Sequence, residues 1–262
     1  MPIILITNDD GIQAPGIQQL AKMASHHGEV VVVAPDGPRS AQSSALTINY
    51  PVSVKVVKHE DNITFWSCTG TPADCVKLAM SQLLDRTPDL VISGINHGSN
   101  ASVNVLYSGT MGAAIEGAMH DVPSVGLSIN DHSFDVSFQY CLPYFEKIIE
   151  RVLEKGLPKD ICLNVNAPVG EVKGLRVCRQ ASGRWANDFT PDNAPRPVKY
   201  YWMVGDFFNT EKDDPDADQV AMNDGYISIV PVQVDMTAYS AMDFCRNNLL
   251  GGSVNDVETI LK

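Results

Sequence analysis

The feature that most constrains this chain is a repeated exchange between short apolar runs and helical periodicity, sustained through most of its length. Ile3–Ile6 is an apolar run that stops at Asn8-Asp9-Asp10-Gly11. Pro15 then opens a segment with Ile17, Leu20, Ala21 and Ala24 at helical spacing. Val30–Val33 is the next run, closed by Ala34-Pro35-Asp36-Gly37-Pro38. Extended chain is expected around Ala45–Lys58, where Val52, Val54 and Val56 alternate, and over Ile63–Cys68; Pro72 then begins a helix. Asp89–Ser93, Val122–Ile129 and Ile161–Val165 read as strands, with helices over Gly109–His120 and Phe138–Glu154. Units of this kind imply a mostly parallel sheet covered on both faces, a three-layer, doubly wound, Rossmann-like α/β fold.

From about Gly174 the rhythm fails. The chain becomes richer in aromatics, Pro and Asp, with strands expected over Val198–Val204 and Tyr226–Val232 and an acidic turn over Glu211–Asp218. With no low-complexity linker and no repeat, a single domain over 1–262 is expected. Its part from 174 to 262 reads as an elaboration: a projecting β-hairpin and a C-terminal helix or arm. Tyr200, Tyr201, Trp202, Met203, Phe207 and Phe208 form a dense apolar cluster there. It could fold over its own sheet or pack against another subunit, since aromatics and Met are enriched at interface cores.

Charge narrows the partners. With 31 acidic and 19 basic residues the net charge is -12, which disfavours duplex nucleic acid and anionic membranes. It also means that any phosphate substrate needs a local source of positive charge. No apolar stretch is long enough to span a bilayer, and Ile3–Ile6 runs straight into acidic residues instead of forming a signal peptide. The six cysteines form no CxxC pair, and several sit in apolar runs such as Ile161-Cys162-Leu163, as buried free thiols do. A cytoplasmic location is therefore expected.

Four polar segments follow strands, where open α/β sheets bind ligands. Asp9 and Asp10 are adjacent carboxylates that a hard divalent cation would neutralise, although Asn8-Asp9-Asp10-Gly11 is also an ordinary Asx-turn sequence. Arg39-Ser40-Ala41-Gln42-Ser43-Ser44 could supply a hydroxyl ligand or a phosphate donor; the plainer reading is a polar loop. Ser93-Gly94-Ile95-Asn96-His97-Gly98-Ser99-Asn100 offers amide groups and close backbone approach, with His97 read as a loop histidine lacking a second His at ligand spacing. Tyr107-Ser108-Gly109-Thr110 precedes a helix, whose N-terminus is an anion site or simply a capped end.

Together these segments resemble the SurE family. The resemblance runs from Ile6-Thr7-Asn8-Asp9-Asp10-Gly11 and Ala14-Pro15-Gly16-Ile17 through Val33-Ala34-Pro35-Asp36 with Arg39-Ser40. It continues over Gly70-Thr71-Pro72-Ala73-Asp74-Cys75-Val76, Ser93-Gly94-Ile95-Asn96, and Tyr107-Ser108-Gly109-Thr110 with Glu116-Gly117. Asp218, Ala221 and Gly225-Tyr226-Ile227-Ser228-Ile229 complete it. The resemblance implies a nucleotidase that releases phosphate from nucleoside 5′- or 3′-monophosphates with one divalent metal per subunit, Mg²⁺ or Mn²⁺. It implies Asp9, Asp10, Ser40 and Asn96 as metal ligands, and Asn100, Ser108, Gly109 and Thr110 at the substrate phosphate. The catalytic set it implies is Asp9, Asn96, Ser108 and Thr110, acting by positioning and charge stabilisation. Metal-activated water is the preferred nucleophile, with a base or nucleophile role for Asp9 left open. Dimers or tetramers built through late segments are implied as well. Where the family commonly has Thr, this chain has Val230.

Three other classes compete. A nucleotide-binding regulator would bind without hydrolysing, which intact metal-type residues disfavour. A dinucleotide oxidoreductase would need GxGxxG in the first turn, and a P-loop NTPase GxxxxGK[ST]; neither pattern is present.

Overall fold

The computed structural model describes residues 1–133, 135–192 and 198–249. Its elements are β1 (Ile3–Thr7), α1 (Pro15–Ala24), β2 (Glu29–Pro35), β3 (Val54–Glu60), β4 (Ile63–Cys68), α2 (Pro72–Leu78), β5 (Leu90–His97), α3 (Gly109–Met119), β6 (Ser124–Ile129), α4 (Leu142–Lys155) and β7 (Ile161–Ala167). After these come β8 (Gly174–Val177), β9 (Gly183–Ala186), β10 (Phe189–Asp192), β11 (Tyr200–Met203), β12 (Asp206–Asn209), α5 (Asp218–Asn223), β13 (Tyr226–Gln233) and α6 (Met242–Leu249).

Strand periodicity sorts the core into two layers. On β1, Ile4 and Ile6 face α1 and α4, joined by Val30, Val32, Ile17, Leu20, Phe145 and Ile149. Leu5, between them, faces the other way with Val31, Val33, Val76 and Ala113, towards α2 and α3. All of these side chains are buried. Complete burial of one such aliphatic side chain stabilises the fold by about 1.5–3 kcal/mol, so β1 is fixed from both faces.

The strand order is β3-β4-β2-β1-β5-β6-β7-β13-β8. From β1 the chain builds outward through β2 and β4, then returns to the other side of β1 to build β5, β6 and β7 in parallel. The order therefore reverses between β1 and β5, the point at which open α/β sheets have their ligand-binding crevice, beyond the carboxyl ends of the strands.

Several expectations shift. The strand expected to stop at Ser93 runs on to His97, carrying Asn96 within β5. Of Ala45–Lys58, only the part from Val54 is a strand, with a bulge between Val56 and Lys58. The helix expected from Phe138 begins at Leu142, with Pro143 in its first turn. Tyr226–Val232, expected as a strand of the late elaboration, lies inside the main sheet: β13 pairs antiparallel with β7 and parallel with β8. Its pairing satisfies the backbone groups that β7 would otherwise leave open.

The expected hairpin is present. The ladders β9–β12 and β10–β11 share one register, Ala186 opposite Asp206 and Phe189 opposite Met203, so they form a single arm interrupted in the middle. Asn187, at φ 59°, marks the interruption. Residues 193–197 of this arm and 250–262 of the expected C-terminal extension lie outside the described residues.

Candidate active site

The turn after β1 is built by Asn8. Its side-chain amide donates to the Gly11 carbonyl at 3.0 Å and its oxygen accepts from the Gly11 N–H at 3.1 Å, which leaves Asp9 and Asp10 at the crevice. Asp9 is 5% exposed. Burial pushes its carboxyl up to about 6; a hydrogen bond from Thr110 pulls the other way, and the charge of Asp10 raises it further. Thr110 Oγ1 donates to Asp9 Oδ1 at 2.5 Å. Gly109 lies so close that a Cβ there would sit 2.9 Å from Asp9 Cβ, so only glycine lets the first turn of α3 reach this carboxylate.

Asp10 is held from the other side by β5. Its Oδ2 accepts from the His97 backbone N–H at 3.2 Å and lies 3.2 Å from His97 Nδ1. The side chain of His97 is 4% exposed, and its ring stands edge-on to Phe138 with centroids 5.5 Å apart. The sequence reading of a loop histidine without a special role missed this partnership; its position directly after Asn96 at a strand end was the available signal. Asn96, also buried, donates its amide N–H to the Gly98 carbonyl at 2.7 Å, which leaves the amide oxygen as the end not used in that bond.

The loop after β2 completes this side. Arg39 N–H donates to the Asp9 carbonyl at 2.7 Å, which brings Ser40 next to the Asp9 backbone on an exposed stretch. Ser40 Oγ makes no hydrogen bond to another described residue. Ser43 secures the loop on the segment before α3, its N–H donating to the Tyr107 carbonyl at 3.0 Å and its hydroxyl to the Leu106 carbonyl at 2.8 Å. A Cβ at Gly112 would lie 2.3 Å from the Ser43 carbonyl oxygen, so the loop rests directly on α3.

Ser108 caps α3, its Oγ accepting from Met111 N–H at 2.9 Å. The capping role read as the plainer alternative is therefore real, and the hydroxyl proton is not consumed by it. Asn100 stands apart from the Asp9 group. Its bonds run to Ser128 on β6 and to Asn164 and Asn166 on β7. The fold thus gathers Asp9, Asp10, Asn96, Gly109 and Thr110 around one crevice, brings Ser40 and Ser108 to its edge, and places Asn100 over the neighbouring strand ends. Asn164 and Asn166 escaped sequence reasoning, although two asparagines within an otherwise apolar buried strand were a visible anomaly.

Two carboxylates flanked by neutral amide and hydroxyl oxygens suit a hard divalent cation. A cation there would relieve both causes that raise the Asp9 carboxyl, its burial and the neighbouring charge of Asp10. Among the described residues no cluster of three or more His, Cys, Asp and Glu side chains is arranged to hold a metal, so such a site depends on the neutral oxygens as well. No helix of the described residues is long and apolar enough to cross a membrane.

Residues 4–187 match the sequence model of the family described as survival protein SurE. The chain is 47% identical over 247 residues to a 5′-nucleotidase SurE of Phocaeicola vulgatus, covering 94% of this chain and 96% of that protein. It is 48% identical over 243 residues to a 5′-nucleotidase SurE of Bacteroides fragilis, covering 92% and 95%. The crystal structure of the SurE protein from Aquifex aeolicus superposes with a TM-score of 0.81 at 33% identity, over 94% of this chain and 98% of that one. In sequence and in fold, the chain belongs to the SurE family.

Proposed function

We propose that this protein is a divalent-metal-dependent 5′-nucleotidase, hydrolysing nucleoside 5′-monophosphates to nucleoside and phosphate. The observation that carries this reading is the buried Asp9 carboxylate beside Asp10 at the sheet's reversal point, touched by the first turn of α3. The names of its relatives support the substrate class. Asp9, Asp10, Ser40 and Asn96 would hold one Mg²⁺ or Mn²⁺. When bound, such a cation supplies Lewis acidity to the phosphoryl group.

The chain's own residues do the remaining work. Ser108 can donate its free hydroxyl proton to a phosphoryl oxygen, and the dipole of α3 presents its positive end to the same group. Thr110 fixes the rotamer of Asp9 through the 2.5 Å bond, which favours a positioning role over direct phosphate contact. Asn100 contributes its amide from the loop after β5. On a protein of net charge -12, these local donors and the cation answer the need for positive charge at the phosphate.

The same reading includes a homo-oligomer, most simply a two-fold dimer, or a tetramer. Tyr200, Tyr201, Trp202 and Met203 on the arm are all exposed, as are Phe244 and Leu249 on α6. A cytoplasmic location fits Cys68, Cys75, Cys141, Cys162 and Cys178, which are buried and free. Phosphate release over a panel of nucleoside monophosphates, with EDTA and with Mg²⁺ or Mn²⁺ restored, tests the reading. Release from 5′-monophosphates that stops in EDTA and returns with metal is expected. Binding without release would reassign the protein as a nucleotide-binding regulator.

A further inference from the structure

The clearest unexplained construction in the molecule is the amide network beneath the loop after β5. Asn166 Oδ1 accepts from the Asn100 backbone N–H at 2.7 Å and from Ser99 Oγ at 3.2 Å. Asn166 Nδ2 donates to Asn164 Oδ1 at 2.9 Å, and Asn164 Nδ2 donates to the Asn100 carbonyl at 2.8 Å. Ser128 Oγ accepts from Asn100 Nδ2 at 2.7 Å. Asn100 thus has its N–H, its C=O and one amide proton tied to side chains from β6 and β7. Asn100, Ser128, Asn164 and Asn166 are all buried.

Packing alone does not call for this arrangement. β7 lies in the interior of the sheet, where apolar residues are the ordinary choice, and its neighbours Cys162, Val165 and Ala167 conform. Buried amides are costly unless satisfied, and here the cost is met by fixing one residue of a loop. The register places Ser128 directly opposite Asn166, so the clamp is set by strand pairing and not by the loop itself. Among the described residues no partner takes up the Asn100 amide oxygen or its second amide proton.

We infer that Asn166 and Asn164, with Ser128, are positioning residues that hold the Asn100 amide in place for the substrate phosphate. This rests on the reading of Asn100 as a phosphate contact. Side chains preset in this way contribute to the transition state without reorganisation, and a displacement of about 1 Å can cost about a hundredfold in rate.

The test pairs kinetics with a binding measurement that does not need turnover. Asn166→Ala is expected to lower kcat about tenfold or more with a smaller change in KM, and to weaken binding of inorganic phosphate, measured by calorimetry on the metal-loaded protein. In an Asn100→Ala background the further loss from Asn166→Ala should shrink to near nothing, because the two act through one group. Ser128→Ala, which leaves both backbone clamps intact, is the milder companion should Asn166→Ala fail to fold; a severalfold loss of kcat is expected. Unchanged kinetics and phosphate affinity in a folded Asn166→Ala or Ser128→Ala protein would overturn the inference, as would losses that multiply in the double variant. Full activity in Asn100→Ala would overturn the phosphate role of Asn100 and the inference with it. A wild-type protein that binds phosphate in an Asn166-dependent way but releases none from nucleotides would refute the nucleotidase reading and leave the clamp standing.

Discussion

β1 and β11 are both short, apolar strands, and the fold treats them in opposite ways. Ile4, Leu5 and Ile6 of β1 are completely buried, packed by helices on both faces. Tyr200, Tyr201, Trp202 and Met203 of β11 are between 44% and 73% exposed, paired on one edge with β10 alone. Hydrophobicity states that a segment gains by being covered; it does not state what covers it. β1 is covered by helices of its own chain, α1 and α4 on one face and α2 and α3 on the other. β11 sits far out on an arm that its own sheet does not reach, which is the physical basis for expecting a second subunit there. On the proposed function the two regions also divide the labour: the chemistry hangs from β1 and β5, and the arm bears on it only indirectly. Trp185 of β9 donates its indole N–H to Asn104 Oδ1 at 2.8 Å. Asp218 accepts from Ser102 N–H at 2.8 Å and from Ala181 N–H at 3.0 Å, tying the late region to the loop after β5.

The largest expected effect would come from the β1 end. On the proposed metal-dependent reaction, Asp9→Asn or Asp10→Asn should cut turnover at least about a hundredfold, because a bound cation would supply several kcal/mol of transition-state stabilisation. Polar substitution of Trp202 should leave chemistry per subunit far less affected. A folded Asp9→Asn protein with wild-type turnover would break the division of labour at once.

Next comes the core itself. Leu5→Ala should cost about 2–5 kcal/mol in urea unfolding, because the two helices behind it cannot collapse fully into the cavity. Trp202→Ala, compared in dilute solution, should change stability by about 0.5 kcal/mol or less. Equal losses would mean that β11 is already covered in the unassembled protein.

A pH experiment sharpens the picture of Asp9. Its carboxyl lies at about 6 in the folded protein against an ordinary 3.8, so between these values the folded state holds a proton that the unfolded chain has released. For this group the sign is therefore destabilising as pH rises through that window, with the full loss present above about 6, at most about 3 kcal/mol. In EDTA near neutral pH, Asp9→Asn should melt several degrees above the wild type, and the gap should close as pH falls towards 3.8. A gap independent of pH would show that the substitution acts through the Thr110 bond instead.

The smallest effect separates cap from cradle. Ser108→Ala removes an N-cap, worth typically about 1 kcal/mol of stability. If Ser108 also touches phosphate, kcat/KM should fall by about tenfold or more, as expected for a hydrogen bond to a charged oxygen. Lost stability with unchanged kcat/KM would leave it a cap only. For assembly, light scattering should give a mass above the 28.5 kDa subunit, and replacing Tyr201 and Trp202 with polar residues should lower it. Phe207 is a poorer probe than its sequence position suggests, because its ring packs on Trp185, with centroids 5.7 Å apart, within the arm itself.

The sequence by itself determined the elements that declare their own period: the apolar runs of β1, β2, β6 and β7, the helices α1 and α4, and the doubly wound order that places Asp9 and Asp10 at a crevice. It also carried the resemblance, because Asn8-Asp9-Asp10-Gly11 and Ser108-Gly109-Thr110 are local strings with local geometry. Only the tertiary structure decided which distant groups meet. Thr110 reaches Asp9 across 101 positions of sequence, and the Asn100 amide proton reaches Ser128 across 28. It also decided that Tyr226–Gln233 enters the main sheet while Tyr200–Met203 stays outside it. The reason is physical: period and turn chemistry act over a few residues and are written in the local string. Strand partners and buried hydrogen-bond partners are chosen by the competition of all exposed edges and unsatisfied groups at once.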